Sequence, residues 1–157
     1  CELTDKHAND KKQVPKLLKN IHNTYDTFLA DGGYDDRGVY EAIAKHKRSK
    51  YIKVGEPRHC NVIIPPRINA WARKTKGSLY PKQRSDHVRY RNEHGRINWQ
   101  KSTGYNERAL VEVAFYRYKR IFGRTMHSRN FENQKVEAYL ACKALNVMTR
   151  LGMPKRL

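Results

Sequence analysis

The chain has 157 residues, about one domain's worth, in which 33 Lys and Arg face 15 Asp and Glu for a formal charge of +18. Hydrophobic residues make up 38% and mean hydropathy is -0.93, which argues against a membrane protein, and no apolar run approaches the roughly 18 residues of a spanning helix. The expected partner is a polyanion, nucleic acid first, because each phosphate neutralised by Lys or Arg releases condensed counterions.

The chain opens Cys-Glu-Leu-Thr-Asp-Lys, without the basic start and apolar run of a secretory signal. It has no initiator Met either, and is expected to begin inside a longer reading frame. Cys1, Cys60 and Cys142 are odd in number and far apart, so neither a disulfide framework nor a zinc ribbon is signalled and a reducing, cytoplasmic setting fits. His59 beside Cys60 has no second pair at ligand spacing and reads as an isolated structural or surface residue.

Val14, Leu17, Leu18 and Ile21 follow the i, i+3, i+4, i+7 spacing of an amphipathic helix, with Pro15 in its first turn and an end near His22. Tyr25 to Ala30 reads as a strand closed by Asp31-Gly32-Gly33, which delivers an acid into a Gly-rich turn. Asp35 or Asp36 caps a second helix that turns Val39, Tyr40, Ile43 and Ala44 inward and breaks up in Lys45-His46-Lys47-Arg48. Cys60 to Ile64 is a buried-type strand stopped by Pro65-Pro66. This alternation of helix and strand is an α/β signature.

From about 67 to 100 the periodicity disappears. Arg67, Arg73, Lys74, Lys76, Lys82, Arg84, Arg89, Arg91 and Arg96 are interleaved with Trp71, Tyr80, Tyr90 and Trp99, opposed only by Asp86 and Glu93. Cations beside flat rings suit a phosphate-tracking, base-stacking surface better than a purely solvating loop. Two helices follow, at 105–122 and 131–151, the second capped by Asn130 and stopped by Gly152 and Pro154. The second carries Val136, Tyr139, Leu140, Leu145 and Met148 for core packing.

At about 100° per residue, Tyr105, Arg108 and Lys119 all fall within roughly 40° of Glu112 on the first of these helices, while Leu110, Val113, Ala114 and Ile121 take the other side. A carboxylate flanked by cations and a phenol can bind a divalent metal while Arg108 and Lys119 hold substrate phosphates. An ordinary salt-bridged face is the alternative, since Arg108 and Glu112 are an i, i+4 pair.

The spacing Tyr105-x2-Arg108-x3-Glu112-x6-Lys119 resembles the Y-R-E-K signature of bacterial insertion-sequence transposases with a DDE catalytic triad. Phe28 to Asp35 is similar to the segment carrying their second catalytic Asp. Gly104-Tyr105 after Trp99, Ser128 to Gln134 leading into Ala144-Leu145-Asn146, and Leu151 to Pro154 extend the resemblance from about Leu3 to Pro154. It implies a ribonuclease H-like α/β fold, incomplete here: the upstream strands carrying the first catalytic Asp should precede Cys1, and Asp5 and Asp10, in a polar turn before a helix, are no substitutes.

For the intact enzyme the resemblance implies DNA transposition by metal-dependent phosphodiester cleavage and strand transfer. Asp31 and Glu112 would be ligands of two Mg²⁺ (or Mn²⁺) ions, and Tyr105, Arg108 and Lys119 would position DNA phosphates. Some relatives stack a flipped base on a Trp in the insertion before the final acid, a role open to Trp99 or Trp71 against core or loop packing. The implied partners are double-stranded DNA, as terminal inverted repeats and target, and a second copy of the chain as a homodimer in the DNA complex, in a bacterial, nucleoid-associated setting. Residues 1–157 alone would then be inactive. The alternatives are a non-catalytic basic DNA-binding protein or decayed remnant, and a structure-specific nuclease on the same fold.

Overall fold

The computed structural model describes residues 3–4, 7–22, 25–51, 60–72 and 79–152, with the backbone alone at 47–51 and 79–81. Cys1, Asp5, His59, Arg73, Lys74, Lys76, Met153 and Pro154, and the side chains of Lys47, Arg48 and Tyr80, lie outside the described residues. The chain divides into two units, one of Ala8–Arg108 and one of Cys1–His7 with Ala109–Leu157.

In the first unit, helix α1 spans Asp10–Lys19, starting earlier than the apolar spacing places it and ending short of His22. Asn9 sets the start: its side-chain oxygen accepts the Lys11 N–H at 3.1 Å, satisfying one of the donors that a helix N-terminus leaves over. Pro15 therefore sits inside the helix and not in its first turn, where its missing N–H removes the bond to the Lys11 carbonyl.

Strands β1 (Thr27–Leu29) and β2 (Asn61–Ile63) are shorter than the apolar runs that foretell them. They pair in parallel, Phe28 opposite Val62, and a parallel pair needs a crossover. Helix α2, Arg37–Tyr51, supplies it. Its start is capped by Asp36, whose Oδ1 accepts the Gly38 N–H at 2.9 Å. The helix continues through Lys45–Arg48 to Tyr51 instead of breaking there, since Lys and Arg are good helix formers and like-charge repulsion costs only a few tenths of a kcal/mol per pair, roughly.

The period of two along the strands sorts the core into two clusters. Val62 and Ile64, with Phe28 packed against them, join Val14, Leu18, Val39 and Ile43 from α1 and α2. Ile63 turns the opposite way, to Trp99 and Tyr105, with Leu29 alongside.

Trp99 arrives on helix α3, Leu79–Thr103, which is interrupted only at Gly95 with φ 81° and ψ 167°. The stretch read as aperiodic from 67 to 100 is thus largely helical. Its periodicity is hidden because the inward face is mostly polar. Gln83 Oε1 accepts the Val62 N–H at 3.0 Å, Gln83 Nε2 donates to the Cys60 carbonyl at 3.1 Å, and His87 Nε2 contacts the Val62 carbonyl at 3.0 Å. Side chains therefore satisfy backbone groups of β2 that a further strand would otherwise take.

The Val62 contact fixes the His87 tautomer: Nε2–H donates to that carbonyl, so Nδ1 accepts the Trp99 indole N–H at 3.1 Å. Burial lowers the His87 pKa from its ordinary 6.5, outweighing the opposite pull of the Val62 carbonyl. A depressed pKa in the folded state means that the unfolded chain binds more protons below 6.5, so the stabilisation is complete above that pH and is lost as pH falls through the folded-state value. In urea titrations the midpoint should fall below pH 6.5, and His87→Gln, which can donate and accept without titrating, should flatten that slope; an unchanged slope would exclude His87 as its source.

In the second unit, the helix expected over 105–122 begins only at Ala109: Tyr105–Arg108, the last residues of the first unit, form a 3-10 turn and α4 spans Ala109–Phe122. Helix α5 spans Phe131–Arg150 and starts as expected, Asn130 accepting the Glu132 N–H at 2.8 Å. The His127 and Ser128 N–H groups, between α4 and α5, donate to the carboxylate of Glu137 on α5, both at 2.9 Å. Those backbone hydrogen bonds hold its pKa below the usual carboxylate range.

The packing differs from expectation. Val136, Tyr139, Leu140 and Met148 of α5 are exposed, as are Leu110, Val113 and Ile121 of α4, whereas Ala138 and Ala141 are the buried residues of α5. Alanine's side chain is only a methyl group, so Ala138 and Ala141 allow close packing, and the larger apolar residues of α5 lie outside the contact.

Candidate active site

In the Ala8–Arg108 unit, Asp31, Trp71, Trp99, Tyr105 and Arg108 line one cleft. Asp31 follows β1 and caps a 3-10 turn, Gly32–Tyr34, its Oδ1 accepting the Gly33 N–H at 2.8 Å. The residue is exposed. The following acid is used differently: the Asp35 side chain is 0% exposed. It receives Arg84 Nε at 2.6 Å and Nη2 at 2.8 Å, one on each oxygen, and the Arg67 N–H at 3.2 Å. Its hydrogen bonds raise the Arg84 pKa.

This bidentate pair escaped the sequence reading. In the sequence Asp35 reads as one of two candidate caps for the second helix, and nothing in the spacing selects which arginine of the basic stretch folds back onto it. Tyr40 also lines the cleft; its hydroxyl is buried without a hydrogen-bond partner among the described residues. Burial and the nearby Asp35 carboxylate push its pKa well above 10.0.

Other members of the expected phosphate track are also committed to protein partners. Arg91 donates from Nη1 to the Pro66 and Arg67 carbonyls at 2.6 and 2.7 Å, and from Nη2 to the Ile68 carbonyl at 3.1 Å. Arg89 pairs with Asp86 at 2.9 Å.

The two tryptophans separate. Trp99 is 1% exposed, with Tyr105 tilted against it at a ring separation of 5.3 Å, so of the two alternatives left open for it, base stacking or packing, this arrangement has it packed. Trp71 is 82% exposed. Tyr105 is likewise buried, and the Arg108 guanidinium lies 5.8 Å from its ring centre. These two residues occupy a 3-10 turn, whereas Glu112 and Lys119 are on an α-helix, so the four do not belong to the single α-helix expected over 105–122.

In the second unit, Glu112 lies in the first turn of α4 and Lys119 in its last. Seven residues apart on one α-helix, they share a face. Lys119 also lines that unit's own cleft with Phe115, Tyr118 and Phe122. Among the described residues, no three or more His, Cys, Asp or Glu side chains gather as a metal-binding group.

A family model described as "Transposase DDE domain" matches residues 1–147. The chain belongs to the DDE transposase family. The family supplies its general function, DNA transposition, and its broad enzyme class, nucleotidyl transfer on DNA. No solved structure matches this DDE transposase domain. Its small parallel sheet among helices is compatible with the α/β class. Among the described residues no helix is long and apolar enough to cross a membrane.

Proposed function

We propose that residues 1–157 belong to a ribonuclease H-like catalytic domain of an insertion-sequence transposase, with Asp31 and Glu112 as two of its three catalytic acids. The observation that carries this reading is the exposed Asp31 carboxylate, set at the end of a strand in a cleft that arginines also line. Hard carboxylate oxygens suit Mg²⁺ or Mn²⁺. The exposed Asp31 carboxylate fits that role, whereas Asp35 is committed to Arg84, and Glu112 takes it on the strength of the family resemblance. When bound, two such ions supply activation of the attacking oxygen and stabilisation of the leaving oxygen in phosphodiester exchange.

The remaining residues act on the DNA. Arg108 and Lys119 contact phosphates of terminal-repeat and target duplexes, Tyr105 packs beneath Arg108, and Trp71 offers an exposed face to a base. A homodimer in the DNA complex and a nucleoid-associated location belong to the same reading.

With two acids of the triad, residues 1–157 alone should bind terminal inverted-repeat DNA, with affinity falling steeply as salt rises, yet fail to nick it in Mg²⁺. A flat salt dependence would count against phosphate contacts, and nicking that survives Asp31→Asn would overturn the catalytic assignment. In the intact transposase, Asp31→Asn or Glu112→Gln should cost more than the roughly 10–100-fold typical of losing an outer-shell partner of a metal ligand.

Gly33 gives a separate check. A Cβ there would lie 2.8 Å from Asp31 Oδ1, closer than nonbonded contact permits, so Gly33→Ala should displace the carboxylate. Mn²⁺ titration calorimetry on the intact transposase should show weakened binding while the far-UV circular dichroism of the variant stays unchanged. Undiminished Mn²⁺ affinity would show that this carboxylate placement is not what the ion needs.

A further inference from the structure

The segment from Pro65 to Ala72, between β2 and α3, combines an immobilised backbone with apolar side chains turned outward. Arg91 gathers the carbonyls of Pro66, Arg67 and Ile68 onto one guanidinium. Asp35 accepts the Arg67 N–H, the Ala70 N–H donates to the Arg67 carbonyl at 2.9 Å, and Arg84 reaches the Trp71 carbonyl at 3.4 Å. The segment also abuts the Asp31 turn, since the Pro65 carbonyl lies 3.3 Å from where a Cβ on Gly32 would stand.

Hydrophobic burial should draw an isoleucine inward, yet Ile68 at this turn is 92% exposed. The inward-facing guanidinium takes up the backbone and leaves the side chain outside. Ile68 also lines the cleft that holds Asp31 and Arg108. In a chain of charge +18, the surface that would cover this residue is one that is anionic outside and apolar within. Duplex DNA has that character, and isoleucine is among the side chains that enter between base steps as wedges.

We propose that Ile68 is a wedge that enters the base stack of bound duplex DNA beside the phosphate presented to Asp31, and that Arg91 is the positioning residue that holds it outward. This rests on the DNA-transposing reading given above. A wedge works against base stacking, so it favours a duplex in which one step is already unpaired. An electrostatic contact alone does not distinguish the two.

The test measures binding of residues 1–157 to two duplexes of equal length and charge, one fully paired and one with a single central mismatch, with 2-aminopurine beside the mismatch position. The expected result is a preference for the mismatched duplex on the order of tenfold and a rise in 2-aminopurine fluorescence on binding to either.

Ile68→Ala should remove most of that preference, and Ile68→Leu should restore it. Arg91→Lys should also reduce it, since an ammonium cannot span three carbonyls as a planar fork does. Ile97→Ala, at an exposed isoleucine on α3 outside this segment, should leave the preference intact. Unfolding would lower both affinities together, whereas loss of the wedge lowers their ratio. Equal affinity of the wild type for both duplexes, or a preference that survives Ile68→Ala, would overturn the wedge while leaving DNA binding in place. Failure to bind either duplex would overturn both readings.

Discussion

Arg84→Ala should cost the Ala8–Arg108 unit roughly 3–5 kcal/mol of stability, the range for breaking a buried ion pair by removing one partner. Asp35 is fully buried, and without the guanidinium its two oxygens would retain only the Arg67 N–H as a described partner. Arg84→Lys should recover little, because a single ammonium cannot serve both oxygens in the same geometry. Asp35→Ala should cost less, since the Arg84 side chain is 27% exposed and its charge can reach water. The double variant should lose less than the sum of the single losses. Both tryptophans of the chain, Trp71 and Trp99, lie in this unit, so indole fluorescence in urea follows it selectively. A midpoint for Arg84→Ala within about 0.5 kcal/mol of wild type, the range of a neutral surface change, would show that the pair does not hold the turn.

The bond between Asp35 and Arg84 marks where reading from the sequence stops. Local signals were legible: the two β-branched and aromatic runs became strands, Asn130 capped its helix, and Asp36 proved to be one of the two caps offered for α2. Asp31 at a strand end beside Gly32 and Gly33 could be read from adjacency alone.

Pattern failed where the packed face is polar. Gln83 and His87 on α3 serve the β2 backbone, while Arg84 and Arg91 serve a carboxylate and three carbonyls. None of these leaves an apolar stripe, and their basic composition reads as a nucleic-acid track. The wheel over 105–122 failed differently, because a 3-10 turn of 3.0 residues per turn rotates its side chains by about 120° each, not 100°. Glu112 owes its assignment to the family resemblance, since a salt-bridged helix face has the same local pattern.

The same distinction between surface and core separates the two indoles, and the second large effect tests it. Trp99→Ala should cost roughly 3–5 kcal/mol, the range for deleting a buried aromatic side chain, because Ile63, Tyr105 and Leu29 would be left lining a void. Trp99→Phe keeps most of the packing but leaves His87 Nδ1 without the indole N–H, which should cost about 1–3 kcal/mol for an unsatisfied buried acceptor. Far-UV circular dichroism in urea suits these variants, since they remove one of the fluorescent reporters. Trp71→Ala should behave oppositely: stability within about 0.5 kcal/mol of wild type, and DNA binding weakened by roughly 1–3 kcal/mol if its exposed face carries a base. If Trp99→Ala leaves the urea midpoint in place and lowers only DNA affinity, the buried indole is not the packing element described here, and stacking belongs to it instead of to Trp71.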